Sequence, residues 1–244
     1  IELTLDRATR DVVSTSAVNH VVRTDVPESP VLAALALRQA QLLKKLDRTV
    51  GRITRTLVNI QNADGESPLG QVIADAQLES TRDAGAEVAF MNPGGIRVPI
   101  DYTGDGAVTY SALYAVQPFG NHLVTMTLSG KELLQLLEQQ WSVNGLRRLQ
   151  ISKGSGFAWN PDQPEGSRIV RDSVIINGQP LQTERDYRIT VNNYLAEGGD
   201  NLPVLLEGRQ RSEGMPILDA LVVYFERRAA VAPEMDRRVR RVTP

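Results

Sequence analysis

The 244-residue sequence contains no cysteine and only two histidines, His20 and His122. The lack of cysteine excludes disulfides, thiol catalysis and thiolate metal sites. With only these two histidines, about a hundred residues apart, and neither an HExxH motif nor a DxH-type cluster, no catalytic zinc or dinuclear site is indicated. A P-loop and a GxGxxG motif after a strand are absent as well. No run of about 18 apolar residues is present, so no segment is predicted to cross a membrane.

Neither positive nor negative charge is in large excess, and aromatic residues are scarce. The net charge of −2 and a pI near 5.8 give no electrostatic basis for binding nucleic acid or a membrane surface. With aromatics at 5%, each one outside the core is a candidate for ligand binding. The N-terminus, "IELTLDRATRDVV", alternates like a strand and lacks the regions of a signal peptide. We therefore expect the chain to be part of a longer protein.

Interspersed strand and helix patterns predict an α+β fold with mixed sheets. Residues 1–24 contain two predicted strands, "IELTLD" and "VVSTSAVNHVV", and residues 25–50 a helix from Pro30 to about Leu46. Residues 51–244 form the main domain. A strand pair of this size cannot form a core. We expect residues 1–24 to be the remnant of an absent upstream domain and residues 25–50 to be its connector.

Short-range sequence patterns predict the starts of two helices and the position of one hairpin turn. Ser67 is a predicted helix N-cap with Pro68 at the first helical position. Ser129 and Glu132 have the spacing of a capping box. Asn-Gly at residues 177–178 predicts a hairpin with a type I′ turn.

Other patterns predict packing or solvation. "HLVTMTLSG" alternates, with Val124, Met126 and Leu128 on one strand face, and Trp141 continues the apolar face of a helix into the core. A group of arginines near the C-terminus alternates with valine and is interpreted as a solvated strand face: Arg237, Arg238, Arg240 and Arg241.

Three loops, "NPGGIR", "QPFGN" and "NNYLAEGGDN", have a composition suited to ligand binding. Gly94 and Gly95 allow the backbone to approach a ligand, and their consecutive N–H groups can form an anion-binding nest. Arg97 adds a planar donor suited to phosphate or carboxylate. Phe119, in the second loop, has little local packing.

The third loop brings a second aromatic and a carboxylate. Tyr194 precedes the pair Gly198 and Gly199, which Asp200 follows. Two loop-borne rings, Phe119 and Tyr194, can hold a nucleobase between them, at roughly 1–3 kcal/mol per stacked base. Asp200 can accept hydrogen bonds from a sugar diol.

Each loop also has an interpretation without a ligand. A Gly-Gly pair after a strand is an ordinary turn, and Asp200 is an ordinary turn residue. Phe119 can be a core plug and Tyr194 a half-buried packing residue. The residues alone leave both interpretations open.

The motifs "GESPLGQVIADA", "MNPGGIR", "VQPFGN", "LLEQQW" and "NNYLAEGGDN", in this order, resemble the C-terminal domain of the 5′-nucleotidase family over roughly residues 51–244. That family includes periplasmic UDP-sugar hydrolases and 2′,3′-cyclic-nucleotide phosphodiesterases. The resemblance implies mixed β-sheets layered with helices (α/β/β/α), preceded by a linker helix.

The resemblance also implies site residues. The loop from Asn92 to Arg97 contacts base and phosphate, the two loop aromatics stack on the base, and the carboxylate binds the ribose hydroxyls. The implied substrate-binding set is Asn92, Gly94, Gly95, Arg97, Phe119, Asn121, Tyr194, Gly199 and Asp200.

As a function, the resemblance implies the substrate-recognition domain of a secreted 5′-nucleotidase-type phosphohydrolase. Its partners would be a nucleotide or nucleoside and, in cis, the missing N-terminal metallophosphoesterase domain with two divalent metal ions of the zinc or manganese type. The chain itself would hold no cofactor, contact neither nucleic acid nor membrane, and be inactive alone. The expected location is the periplasm, the cell surface or the medium. The alternatives are a stand-alone nucleoside-binding or interaction module, and an unrelated hydrolase using carboxylates.

Three departures from the family pattern stand out. Tyr194 occupies a position where phenylalanine is common, and its hydroxyl is expected to affect base preference. Asn59 and Ala63 stand where many members carry arginines. The family's metal-binding motifs are absent from this sequence.

Overall fold

A computed structural model of the chain describes residues 1–21, 29–141, 148–232 and 236–242, and only the backbone of residues 41–46. The chain divides into two units, Ile1–Leu43 and Lys44–Pro244. The linker predicted before the first helix lies mostly in residues 22–28, outside the described residues.

Helices and strands are interspersed along the described residues. The helices are α1 (Pro30–Leu46), α2 (Pro68–Thr81), α3 (Tyr110–Val116), α4 (Gly130–Gln139), α5 (Asn193–Ala196) and α6 (Ile217–Glu226). The strands are β1 (Glu2–Leu5), β2 (Val12–Ser16), β3 (Thr49–Arg52), β4 (Val88–Met91), β5 (Ala107–Thr109), β6 (His122–Ser129), β7 (Gln150–Ile151), β8 (Gly156–Trp159), β9 (Ile169–Ile176), β10 (Gln179–Pro180), β11 (Asp186–Asn192), β12 (Arg209–Pro216) and β13 (Val239–Arg241). Within the described chain, none of these helices is both long and apolar enough to span a bilayer.

The first unit is an antiparallel hairpin of β1 and β2 followed by α1 as far as Leu43. The sequence predicts a second strand reaching Val22, which lies outside the described residues, but β2 ends at Ser16. Its partner there, Glu2, is the first residue of β1, so the following residues have no opposite strand to pair with. α1 covers the predicted range Pro30–Leu46.

The second unit is built on a five-stranded sheet with the order β12-β6-β11-β4-β7. β4 and β11 are parallel, and the other pairs are antiparallel. A four-stranded sheet, β10-β9-β8-β13, has β13 parallel to β8, and β3 pairs with β5. The predicted α+β fold with mixed sheets is confirmed.

A hydrophobic core lies on each face of the five-stranded sheet. On one face, side chains of β4, β6 and β11 pack with α4 and the four-stranded sheet, and buried Trp141 belongs to this core as predicted. On the other face, α2, α3 and α6 pack together with Met91 of β4. The alternation along β4 explains the division, because Val88 and Phe90 point to the first core and Met91 to the second.

The predicted element ends are confirmed. Ser67 accepts a hydrogen bond from the N–H of Gly70, 3.1 Å away, at the start of α2. Ser129 and Glu132 form the capping box of α4. Asn177 and Gly178 both have positive φ, 49° and 76°, as a type I′ turn requires.

Strand β6 is buried on both faces, although its alternating sequence suggested one apolar face and one polar face. Val124, Met126 and Leu128 enter the first core as predicted. On the opposite face Thr125 is buried, and its hydroxyl lies 2.9 Å from that of Thr190 on β11. A threonine whose hydroxyl is paired can be buried with little loss of stability, so a polar residue did not mark a solvent-facing position here.

The prediction of a solvated arginine face is wrong for Arg238. This side chain is only 6% exposed, and its two terminal nitrogens donate to the two carboxylate oxygens of Asp75 on α2, at 2.7 and 2.8 Å. The paired geometry compensates a charge that burial would otherwise disfavour. Arg237, Arg240 and Arg241 are exposed as predicted.

Candidate functional site

Three loops meet at one edge of the five-stranded sheet. β4 and β11 are parallel neighbours, so the loops that follow Met91 and Asn192 leave the sheet at the same edge. β6 is antiparallel to β11, so the loop that precedes His122 lies at that edge as well. The backbone N–H of His122 donates to the side chain of Asn193, at 3.1 Å, and joins two of the loops.

A cavity of about 390 Å³ lies between these loops. Its volume is in the range of small-molecule sites, roughly 300–1,000 Å³. The structure brings eight of the nine predicted site residues together in its lining: Asn92, Gly94, Gly95, Arg97, Phe119, Asn121, Tyr194 and Asp200. The ninth, Gly199, packs against the ring of Tyr194 beside the cavity.

The two loop aromatics are not core residues. Phe119 is 53% exposed and Tyr194 is 44% exposed. Phe119 therefore does not plug the core, and Tyr194 keeps close to half of its surface accessible. Both rings line the same cavity, which is the arrangement that a stacked base requires.

Arg97 is exposed at the cavity and is held by its own loop. Its backbone N–H donates to the carbonyl of Val116, and its guanidinium donates to the carbonyl of Gly94 at 3.1 Å. The guanidinium carbon lies 5.6 Å from the centre of the Phe119 ring. Since a guanidinium has five N–H donors, most of the donors of Arg97 remain available to an anion.

The glycine pair does not form the predicted nest of adjacent free N–H groups. Residues Pro93–Gly95 form a short 3₁₀ turn, in which the N–H of Gly95 donates to the carbonyl of Asn92 at 3.1 Å. The N–H of Ile96 donates to Pro93 in the same way. The donor group that this loop presents to the cavity is therefore the guanidinium of Arg97 rather than a run of consecutive backbone N–H groups.

Gly199 is required by a close approach. A Cβ atom at this position would lie 2.5 Å from both Cε1 and the carbonyl oxygen of Tyr194. Contacts this short are excluded between heavy atoms that are not bonded, so any other residue would displace the tyrosine ring. Gly199 thus contributes to the site through the position of Tyr194.

A chain of hydrogen bonds joins the first and third loops. The side chain of Asn92 donates to Oδ2 of Asp200 at 2.7 Å, and its own oxygen accepts from the side chain of Asn192 at 2.9 Å. Asn192 accepts in turn from the N–H of Leu195 as the N-cap of α5. Asn192 was not predicted as a site residue, although its place between a strand and a glycine-rich loop, in the pair "NN", was an available signal.

Comparison with known proteins gives the family. The family model described as "5'-nucleotidase, C-terminal domain" matches residues 49–207. This chain belongs to the 5′-nucleotidase family. The resemblance inferred from the motifs is thereby confirmed.

Two curated relatives of this 5′-nucleotidase-family domain come from bacteria. Endonuclease YhcR of Bacillus subtilis is 29% identical over 93% of the chain, and cell wall protein Lmo0130 of Listeria monocytogenes is 28% identical over 91%. The chain spans only 18% and 30% of those two proteins. It corresponds to one part of each larger relative.

A solved structure gives the same result in three dimensions. The 5′-nucleotidase precursor from Thermus thermophilus matches with a TM-score of 0.75 and 32% identity. The match covers 99% of this chain and 49% of the Thermus chain. The fold of this 5′-nucleotidase-family domain is therefore that of about half of a larger family member.

The two positions where many family members carry arginine do not add a cation to the site. The side chain of Asn59 donates to the backbone carbonyl of Ile96 at 3.2 Å. Asn59 is thus hydrogen-bonded to the residue that precedes Arg97. Ala63 is exposed. Within the described parts of the chain, no group of three or more histidine or carboxylate residues is placed to hold a metal ion.

Proposed function

We propose that this chain binds the nucleoside part of a nucleotide within a longer, metal-dependent 5′-nucleotidase-type phosphohydrolase. The observation that carries the proposal is the cavity of about 390 Å³ into which three separate loops bring two exposed aromatic rings, one arginine and one carboxylate. A flat base, a phosphate and a sugar diol need these three kinds of group.

These four groups are distributed over the three loops. Arg97 and Phe119 lie close together on two loops, with Asp200 and Tyr194 on the third. A base between the rings would place the sugar near the carboxylate of Asp200. The phosphate would extend toward Arg97 and toward the missing metallophosphoesterase domain, where the two metal ions are expected.

The names of the relatives support an extracytoplasmic setting. The Listeria relative is named a cell wall protein, and the Thermus structure is that of a precursor. We propose that the whole protein acts outside the cytoplasm, at the cell surface, in the periplasm or in the medium.

Calorimetric titration of this chain with adenosine and AMP tests the proposal. We expect saturable binding of both, and we expect Tyr194→Ala to weaken each by about 1–3 kcal/mol through loss of the stacking ring. Tyr114→Ala is the matched control, because Tyr114 is a similarly exposed tyrosine on α3 that does not line the cavity. Equal effects of the two substitutions, or no binding at millimolar ligand, would reject the proposed site.

A further inference from the structure

The hydroxyl of Tyr194 and the residue Asp200 close a small hydrogen-bonded ring. The hydroxyl donates to Oδ1 of Asp200 at 2.9 Å and accepts from the backbone N–H of the same residue at 3.1 Å. The other carboxylate oxygen, Oδ2, accepts from the side chain of Asn92 at 2.7 Å. Each carboxylate oxygen of Asp200 therefore already accepts one hydrogen bond from an uncharged donor.

This ring holds Asp200 in an uncommon backbone conformation. Its φ is 53°, in the left-handed region that residues other than glycine seldom adopt. The contacts of Tyr194 with both the amide and the side chain of Asp200 favour that conformation. Behind the carboxylate, the buried pair Asn92 and Asn192 fixes the second oxygen. The carboxylate is thus oriented before a ligand arrives.

The remaining acceptor capacity of Asp200 has a defined form. A carboxylate oxygen has two lone-pair directions, so each oxygen keeps one for a ligand. Two adjacent acceptors on one rigid group match two adjacent hydroxyl donors, as in the cis-diol of a ribose. A sugar with a single hydroxyl at this place leaves one acceptor unused.

From these contacts we infer that the Tyr194 hydroxyl is a positioning group that makes the site select ribonucleosides over 2′-deoxyribonucleosides. The inference rests on the proposed function, since it assigns a further role at the same site. The aromatic ring of Tyr194 serves the base, and its hydroxyl acts on the sugar through Asp200. Phenylalanine at this position keeps the first role and loses the second.

The test compares the wild-type chain with Tyr194→Phe in calorimetric titrations with adenosine and 2′-deoxyadenosine. We expect the wild type to bind adenosine more tightly. In Tyr194→Phe, adenosine affinity should fall at least about threefold, the effect of losing one hydrogen bond. Affinity for 2′-deoxyadenosine should change much less, so the ratio of the two affinities shrinks. Tyr114→Phe, outside the cavity, should leave both affinities unchanged.

The possible outcomes separate this inference from the proposed function. If the wild type binds adenosine and Tyr194→Phe keeps the wild-type ratio, the hydroxyl plays no part in sugar selection and only the inference fails. Tighter adenosine binding by Tyr194→Phe would show a hydroxyl that competes with the sugar, which also overturns the inference. A wild-type chain that binds neither nucleoside rejects the proposed function and the inference together.

A ligand-free measurement checks the positioning itself. Hydrogen exchange of the Asp200 amide should be faster in Tyr194→Phe, because the hydroxyl is its acceptor. The melting temperature should stay close to that of the wild type, since Tyr194 is half exposed. Unchanged exchange would overturn the inference.

Discussion

Two of the contacts between arginine and aromatic rings in the described residues, at Arg97 and at Arg148, differ in almost every other respect. At the cavity, Arg97 lies 5.6 Å from the centre of one ring, Phe119, and both are exposed. In the core, Arg148 lies 4.4 Å from the ring centre of Trp141 and 3.7 Å from that of Trp159. The same pair of chemical groups thus serves an open surface in one place and a closed interior in the other.

The buried arrangement is unfavourable in electrostatic terms. Arg148 has only 2% of its surface exposed, and its Nε and Nη1 have no hydrogen-bond partner among the described residues. Burial lowers the pKa of Arg148 to about 10, and the nearby charges of Arg168 and Arg241 contribute to the shift. The two tryptophan rings, 4.7 Å apart, and the charge of Asp64 oppose this effect by favouring the cation.

The difference in exposure between Arg97 and Arg148 distinguishes an arginine that can bind a ligand from one that serves packing. A cation and a ring that remain exposed retain their capacity for a ligand, whereas a cation enclosed by rings has already used that capacity. Arg148 is also held through its backbone, which accepts from and donates to the side chain of Gln61. We therefore interpret the Arg148 cluster as structural and the Arg97 pair as the ligand-facing one.

Alanine substitution of one aromatic residue from each arrangement should give the largest contrast. Trp159→Ala should lower the free energy of unfolding by about 3–5 kcal/mol, because it removes a large buried ring and leaves a cavity. Phe119→Ala should change stability by less than about 0.5 kcal/mol yet weaken adenosine binding by about 1–3 kcal/mol. Chemical denaturation and calorimetry measure the two quantities. A loss of stability above about 2 kcal/mol in Phe119→Ala would show that Phe119 is a packing residue.

Replacing each arginine by methionine separates charge from volume. Arg97→Met should leave stability unchanged and weaken AMP binding by about 1.5–3 kcal/mol, the value of hydrogen bonds to a charged group, with little effect on adenosine. Arg148→Met should leave nucleotide binding unchanged and alter stability by no more than about 1 kcal/mol, because relief of an unpaired buried charge offsets the lost cation–π contact.

Denaturation curves and AMP titrations of both variants check this second contrast. Equal losses for AMP and adenosine in Arg97→Met would mean that Arg97 does not contact the phosphate. A large loss of stability in Arg148→Met would mean that the cation itself holds the two tryptophans together.

The sequence predicted those features that short-range signals encode. Ser67, Ser129 and the Asn177-Gly178 turn act within a few residues, so their roles followed from local spacing. The loops of the cavity were predicted from composition and resemblance, and parallel pairing of β4 with β11 explains why they meet.

Long-range polar pairs were the features that the sequence did not reveal. Arg238 pairs with Asp75, more than half the chain away, and nothing in the alternating arginine pattern distinguishes it from its exposed neighbours. Asn192 is tied to the first loop by its contact with Asn92, 100 residues earlier in the chain. Such pairs depend on which strand lies beside which, and that is a property of the whole fold.

Two carboxylates, Asp200 and Glu66, differ in exposure as Arg97 and Arg148 do. Asp200 lines the open cavity, whereas Glu66 is buried, with Oε1 accepting at 2.9 Å from the backbone N–H groups of Arg238 and Val239 and from the side chain of Gln71. Its Oε2 has no partner in the part of the chain that the structure describes. Burial raises the pKa of Glu66 above its usual 4.5, because the desolvation of the charged form outweighs these donors.

This shift predicts a pH-dependent effect of Glu66→Gln, the smallest expected here. Since the pKa is higher in the folded state, the contribution of Glu66 to stability is fully present below pH 4.5 and is lost as pH rises through the folded pKa. Glutamine does not titrate, so the variant should gain stability relative to the wild type as pH rises from 4.5 toward neutrality. Denaturation curves of both proteins between about pH 4 and 7.5 measure this difference. A wild type that instead gains stability over the variant across this range would mean that Glu66 is held as a favourable charge, and the contrast between buried and cavity carboxylates would not hold.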